Sequence, residues 1–332
     1  MRPNMPVPHG ERGAALLTVL LLVAVMAVIA ASSLEKLRLA TRLSGNSFAV
    51  DQARAYASAA ETIAAARAER LIERSLARTT LQGGWNGRAI GVPVPGGSAS
   101  VIVRDGGNCF NLNSVVQGES LFQLTSRIAG IRQFVGLMQA LQIPQAPAER
   151  IAAATADWID SDVIPQPNGA EDDFYGGVQP QRRAANMLMS DPSELRQVAG
   201  MTPEIYARLR PFICTLPTPD LSPINVNTVL PEQAPLIAML LPRNLTPDRA
   251  RTLLAERPAT GYGSAQEFLN RAALSVGAQD DGQLGRQLKV RTTWFSLETR
   301  VELGGTRVTQ RAMIDARTTP VRVTAHLAGR GD

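Results

Sequence analysis

Residues 11–45 read ERGAALLTVLLLVAVMAVIAASSLEKLRLATRLSG, and the architecture of the chain turns on this run. From Ala14 to Ala31 no charged residue occurs. At ~1.5 Å per residue, a helix of that length covers about 27 Å, close to the hydrocarbon thickness of a bilayer. A cleaved secretory signal is the alternative, since Ala30-Ala31-Ser32 places small residues just after the apolar run. The residues beyond Ser32 argue against it. Between Ser33 and about Arg78 there is no proline, and Gly45 is the only glycine. Leu34, Leu37, Ala40 and Leu43, then Ala53, Ala57, Ala60 and Ala64, fall at three- and four-residue spacing, the period of one helix face. Arg67, Glu69, Arg70, Glu73 and Arg74 alternate charge with alanine. A membrane-spanning segment, residues 14–31, therefore continues into a long amphipathic stem helix, residues 32–82, which Gly83-Gly84-Trp85-Asn86-Gly87 brings to an end.

The Arg12-Gly13 junction ahead of this helix resembles the cleavage site of type IV prepilins and pseudopilins. The resemblance implies a leader, residues 1–13, that a dedicated aspartyl prepilin peptidase removes by cutting between Gly13 and Ala14, with methylation of the new amine. The anchor then stays on the mature chain. Most members of that class carry glutamate at the fifth mature position, where this chain has Thr18. A carboxylate in hydrocarbon needs a cation partner, which a neighbouring subunit's terminal amine supplies. Thr18 is either a tolerated substitution or the mark of a subunit with nothing stacked above it, and the rest of the chain favours the second. Orientation is not fixed by charge. Arg2 and Arg12 precede the span, but Lys36, Arg38 and Arg42 follow it, so a cytoplasmic N-terminus rests on the prepilin resemblance and on the cysteines.

The remaining composition excludes several function classes. Across 332 residues the formal charge is +5, but basic residues are spread along the chain and interleaved with 29 acids, so no run resembles a nucleic-acid-binding arm. The scarcity of histidine and cysteine, two of each, argues against a zinc site of ordinary ligand type, and no cysteine pair has finger spacing. A Ser-His-Asp triad would depend on His326, close to the C-terminus.

Beyond the stem, Ala89–Pro95 and Ser98–Arg104 flank Pro95-Gly96-Gly97 and read as a hairpin. Thr293–Leu303 and Thr306–Ala316 flank Gly304-Gly305, a second hairpin, and Val321–Leu327 reads as a last strand. These strands bracket a helical region. The expected fold class is α+β: a pilin-like stem and small antiparallel sheet (head residues 83–111 and 291–332) holding a large inserted all-α domain, residues 112–290. Within the insert, FNLNSV (110–115) and INVNTV (224–229) form a weak repeat whose second asparagine, or the hydroxyl after it, suits a helix N-cap. Short helices are expected at Pro192–Val198, Pro203–Leu209, Pro231–Leu241, Pro247–Glu256 and Ser264–Ala272. SELRQVAGMTPEIYARLRP looks like a helix-hairpin-helix (SAM-like) unit. Its glycine turn lacks a flanking basic cluster, which points to a structural module and no nucleic acid.

The strings CFNLNSV, ADWIDSD, GAEDDFY, RAANMLMSDPSELRQVAGM, LRPFICTLP and INVNT, in this order from Cys109 to Thr228, resemble the minor pseudopilin K family of type II secretion systems. The resemblance implies a non-catalytic protein of the inner membrane, single-pass, with its bulk in the periplasm. It would form the pseudopilus tip with minor pseudopilins I and J, initiate assembly of the major pseudopilin, and support export of folded exoproteins across the outer membrane.

Two sites stand out. Cys109 and Cys214, an even pair placed in an oxidising compartment, read as a disulfide. Asp160, Asp162, Glu171, Asp172 and Asp173 surround Pro165, Pro167 and Gly169 in a folded-back acidic loop. Hard oxygen donors suit calcium, a reading the family resemblance also implies, in a structural role. It is not an EF-hand, because Ile164 and Pro165 stand where a ligand and a glycine are required. Rival readings are a tethered periplasmic hydrolase using Asp160 and Glu171 with Trp158 and Tyr175 stacking a sugar, and a DNA receptor.

Overall fold

The computed structural model describes residues 11–73, 77–242, 244–272 and 283–329; residues 1–10 of the expected leader lie outside these. Helix α1, Glu11–Glu73, runs unbroken for 63 residues, about 95 Å at the α-helical rise. Residues 14–48 stand exposed, and the apolar run is long enough to cross a membrane. Further along, Ala53, Ala57, Ala60, Ala64, Ala68 and Ile72 are buried, as the spacing predicts. Their small side chains let the helix lie close against a sheet.

The described helix extends to Glu73, and residues 77–82 are not helical, which corrects the expected 32–82 helix. The cause is tertiary. The Thr79 N–H donates to Val290 O at 2.9 Å, the Thr79 hydroxyl accepts from the Thr292 N–H at 3.2 Å, and the Gln82 amide reaches Ala259 O at 3.3 Å. The Thr79 N–H and C=O, the latter accepting from the Asn225 amide at 3.3 Å, thus bind distant chain and close no helical turn.

The hairpin β1 (Ala89–Val94) and β2 (Gly97–Asp105) opens the sheet. The chain then leaves it through β3 (Phe110–Asn111), β4 (Val116–Gln117) and β5 (Thr125–Ser126). Helices α2 (Ile128–Ala140), α3 (Gln145–Ile159), α4 (Asp172–Gly176) and α5 (Pro203–Leu209) follow, then β6 (Ile213–Cys214). Helices α6 (Ala234–Ala238), α7 (Pro247–Ala255), α8 (Ala265–Arg271) and α9 (Gln283–Gln287) complete the insert. Strands β7 (Trp294–Leu303), β8 (Thr306–Asp315) and β9 (Arg322–Gly329) return to the sheet, whose order is β1-β2-β7-β8-β9, antiparallel throughout. Both hairpins lie where expected. Ala99, Val101 and Val103 share a face with their partners Val301, Thr299 and Leu297, and that face meets α1. The opposite face is polar, crossed by pairs such as Arg300–Glu298 and Arg307–Glu302.

The insert is not all-α, a second correction. Strand β3 pairs in parallel with β6, and β4 pairs with β5. The expected helix at Pro192–Val198 is a 3-10 turn, Pro192–Gln197, capped by Asp191 and Glu194, and Pro231–Leu241 divides into a 3-10 turn and α6. The two longest helices of the insert, α2 and α3, were not among those expected. Phe110 stacks on Phe134 of α2 at 4.8 Å, and both are fully buried.

The asparagine repeat also acts differently from expectation. In each copy it is the first asparagine that caps the local turn: Asn111 accepts from Asn113 N–H, and Asn225 accepts from Asn227 N–H. The second asparagine staples distant chain together. Asn113 donates to Met189 O and Leu216 O and accepts from Met189 N–H. Asn227 donates to Tyr262 O and Val290 O and accepts from Tyr262 N–H. A short amide side chain, wholly buried, thus satisfies three backbone groups at each site.

Head and insert meet at Asp105, the last residue of β2. Its carboxylate accepts from the Thr228 hydroxyl at 2.6 Å, the Thr292 hydroxyl at 2.5 Å and the Gly107 N–H at 3.0 Å. Burial pushes this carboxyl above its ordinary value, and those donors pull it back in part. Nearby, Cys109 and Cys214 are joined in a disulfide, as expected, with Cα atoms 5.8 Å apart beside the β3–β6 pair.

Candidate metal centre

Helix α3 carries a run of small buried residues, Ala152 to Ala156, so it sinks deep into the insert. Its C-terminal end delivers Asp157 and Asp160, three residues apart and hence on one face. Helical backbone stops at Asp160, which is extended. The chain then folds back on itself. Asp157, fully buried, closes this loop by accepting the Gln166 N–H at 3.2 Å and the Ala170 N–H at 2.7 Å. A Cβ on Gly169 would collide with Asp157 Oδ2, so glycine is required there for space. Asn168 supplies the left-handed residue that the turn needs, with φ 68°.

The returning chain sets Glu171 beside Asp160. Carboxylate oxygens of Asp160, Asp162 and Glu171 lie within 4.8 Å of one another. Asp160 and Glu171 are only 2% and 4% exposed. Asp160 Oδ1 and both Glu171 carboxylate oxygens are buried without a hydrogen-bond donor. Desolvation, reinforced by Asp162, Asp157 and Glu171, pushes the Asp160 carboxyl up to about 7. Desolvation, reinforced by Asp157, Asp162 and Asp172, pushes Glu171 up to about 7 as well. Asp157 is also raised, first by burial, while its backbone donors oppose the shift.

Of the five acids expected at the site, three come together. Asp172 turns away, accepting the Ala184 N–H at 2.9 Å and facing Arg183 at 4.0 Å. Asp173 is exposed on the first turn of α4. The residue that sequence reasoning left without a role is Asp157, which shapes the loop and does not join the trio. Its helical spacing from Asp160 was the available signal.

Three converging carboxylates, two of them buried with unpaired oxygens, form a donor set that fits a hard divalent cation. The same geometry removes the sugar-stacking element of the hydrolase reading. Tyr175 is fully buried and Trp158 nearly so, packed edge to face with ring centroids 5.0 Å apart. Neither presents a face to a saccharide.

Comparison with known proteins bears on the whole chain. Family models for "Type II secretion system (T2SS), protein K" match residues 108–218 and 224–291. The type II secretion system protein K of Pectobacterium carotovorum subsp. carotovorum is 35% identical over 92% of this chain and 92% of its own length. That of Klebsiella pneumoniae is 36% identical over 92% of this chain and 93% of its own. A chain from the crystal structure of the GspK-GspI-GspJ complex of the enterotoxigenic Escherichia coli type 2 secretion system superposes with a TM-score of 0.73 at 29% identity. That match covers 85% of this chain and 97% of the other.

Proposed function

Because the chain belongs to the type II secretion system protein K family, we propose that it is the minor pseudopilin at the tip of the periplasmic pseudopilus. There it initiates filament assembly and supports export of folded exoproteins, without catalysing a reaction. One observation carries this reading. A membrane-length apolar segment and a sheet-packed stem form one continuous helix, which supports an anchor retained on the mature chain. The Gly13–Ala14 bond lies in the first turns of that helix and is the proposed cut for prepilin peptidase, followed by methylation of Ala14. Anchoring is in the inner membrane, with the head and insert in the periplasm, where the Cys109–Cys214 disulfide is stable.

Thr18 supports the tip position. Its hydroxyl donates back to Ala15 O within the helix, leaving no carboxylate to pair with a subunit above. The partners in this reading are minor pseudopilins of the I and J types, the kinds joined to the K protein in the solved complex, and through them the major pseudopilin. The test is co-purification of the full-length chain with the I- and J-type pseudopilins of the same genome. Recovery of a stoichiometric complex is expected; failure to recover either one refutes the tip reading.

We further propose that Asp160, Asp162 and Glu171 hold a structural calcium ion. The unpaired buried oxygens support it, and the ion would supply the positive charge that lets these carboxylates stay ionised in one loop.

A further inference from the structure

The loops around the acidic trio carry an exposed apolar surface. Among the described residues beyond α1, the large apolar side chains that stand exposed lie, apart from Val323, between Leu121 and Met187. Phe122 is 89% exposed and Ile164 74%. Val163, Phe174 and Met187 are exposed as well.

These residues come from three segments tied to one place. Leu124 N–H donates to the Ser161 hydroxyl and Ser161 N–H to Leu124 O, which fixes the 118–126 loop against the start of the acidic loop. Glu171 lies against Asp160, three residues before Phe174. Asn186 N–H donates to Trp158 O, which places Met187 beside the end of α3. Phe122, Val163, Ile164, Phe174 and Met187 each lie within about 10 Å of chain length from a tie to residues 157–162.

We infer that these loops form a docking surface for a protein segment that presents apolar side chains flanked by arginine or lysine. Charge selects that partner. Glu119 and Asp173, neither of them in the acidic trio, are exposed on the same loops, and no ion pair among the described residues involves them. Of the nearby cations, Arg182 lies over Tyr175 and donates to Gln197, and Arg183, itself exposed, faces Asp172 at 4.0 Å. An apolar surface rimmed by free carboxylates favours a cationic partner and repels an anionic lipid surface. Backbone ties between the loops hold it ready before the partner arrives.

The test uses the full-length chain in phosphatidylcholine nanodiscs with calcium present, empty discs serving as the blank. Two fluorescent peptides of equal leucine and phenylalanine content are compared by anisotropy, one interleaved with arginine and one with glutamate. The arginine peptide is expected to bind at least about tenfold more tightly, and the double variant Phe122→Ser/Ile164→Ser to lose about tenfold with unchanged Tm. Glu119→Lys, which leaves the apolar side chains in place, should weaken the arginine peptide and improve the glutamate one. Equal binding of the two peptides, no binding of either, or full binding by the double variant overturns the proposal. Co-flotation with phosphatidylglycerol vesicles without peptide preference does so as well, because it assigns the surface to lipid. None of these outcomes touches co-purification with the I- and J-type pseudopilins, so this inference and the tip reading fail separately.

Discussion

Asp160→Asn is predicted to raise the stability of the metal-free chain while abolishing its response to calcium. In the metal-free state, Asp160 and Glu171 are buried together and both carboxyls are pushed up to about 7. Moving one carboxyl from its ordinary value to about 7 corresponds to ~4 kcal/mol against the ionised form at full value. The two titrate as a pair, and exposed Asp162 opens the cluster to water, so ~2 kcal/mol is the share carried into net stability. The folded-state values lie above the unfolded ones. Metal-free stability is therefore greatest while both carboxyls are protonated, and it declines as pH rises from about 4 through about 7. Calcium reverses the sign, adding ~2.7 kcal/mol at a hundredfold excess over its Kd. For a chain of this size that is about 4 °C in Tm. Asp160→Asn removes one buried charge and one ligand together. Thermal unfolding followed by near-ultraviolet circular dichroism, with excess chelator or with calcium, reads both effects. With chelator at mildly alkaline pH the variant should melt above the unmodified chain. With calcium the order should invert. The reasoning fails if the metal-free Tm of the unmodified chain does not fall across neutral pH, or if calcium raises the variant as far as the original.

Other expectations test the scaffold. Thiol titration of the denatured, unreduced chain should find no free cysteine, and replacing Cys109 and Cys214 with alanine should cost up to ~4 kcal/mol in urea unfolding, since the bond closes a loop of about a hundred residues. Asn113→Ala leaves Met189 N–H, Met189 O and Leu216 O without their partner, so urea unfolding should show a loss of ~3 kcal/mol or more. Gly169→Ala drives a methyl group into Asp157 Oδ2; it should lower Tm and weaken calcium binding by isothermal titration, while the Cys109–Cys214 bond still forms.

What the sequence disclosed was whatever is written in local period. Ala53 to Ala64 announced the buried face of the stem, and Gly304-Gly305 the tight turn between β7 and β8. What it concealed was decided at long range. Nothing near Thr79 says that its backbone will bind Val290 instead of continuing a helix. The asparagines of the repeat looked like helix caps because capping is the local use of that side chain, whereas Asn113 and Asn227 spend theirs on chain far away in sequence. The acidic loop was legible as a cluster, since five carboxyls crowd two prolines. The choice among them was not, because Asp172 is withdrawn by Ala184 and Glu171 is buried only through tertiary packing.

The chain quits the sheet at Asp105 and comes back at Trp294, and Asp105 is the direct partner of Phe295. To the sheet, the whole intervening stretch is the connection of a hairpin. Bringing the ends of so long a connection together from a random coil is entropically unfavourable, and that cost disappears if the connection has already collapsed with its ends side by side. The expected order of events during biogenesis is that the helical cassette collapses first and β2 zips to β7 afterwards.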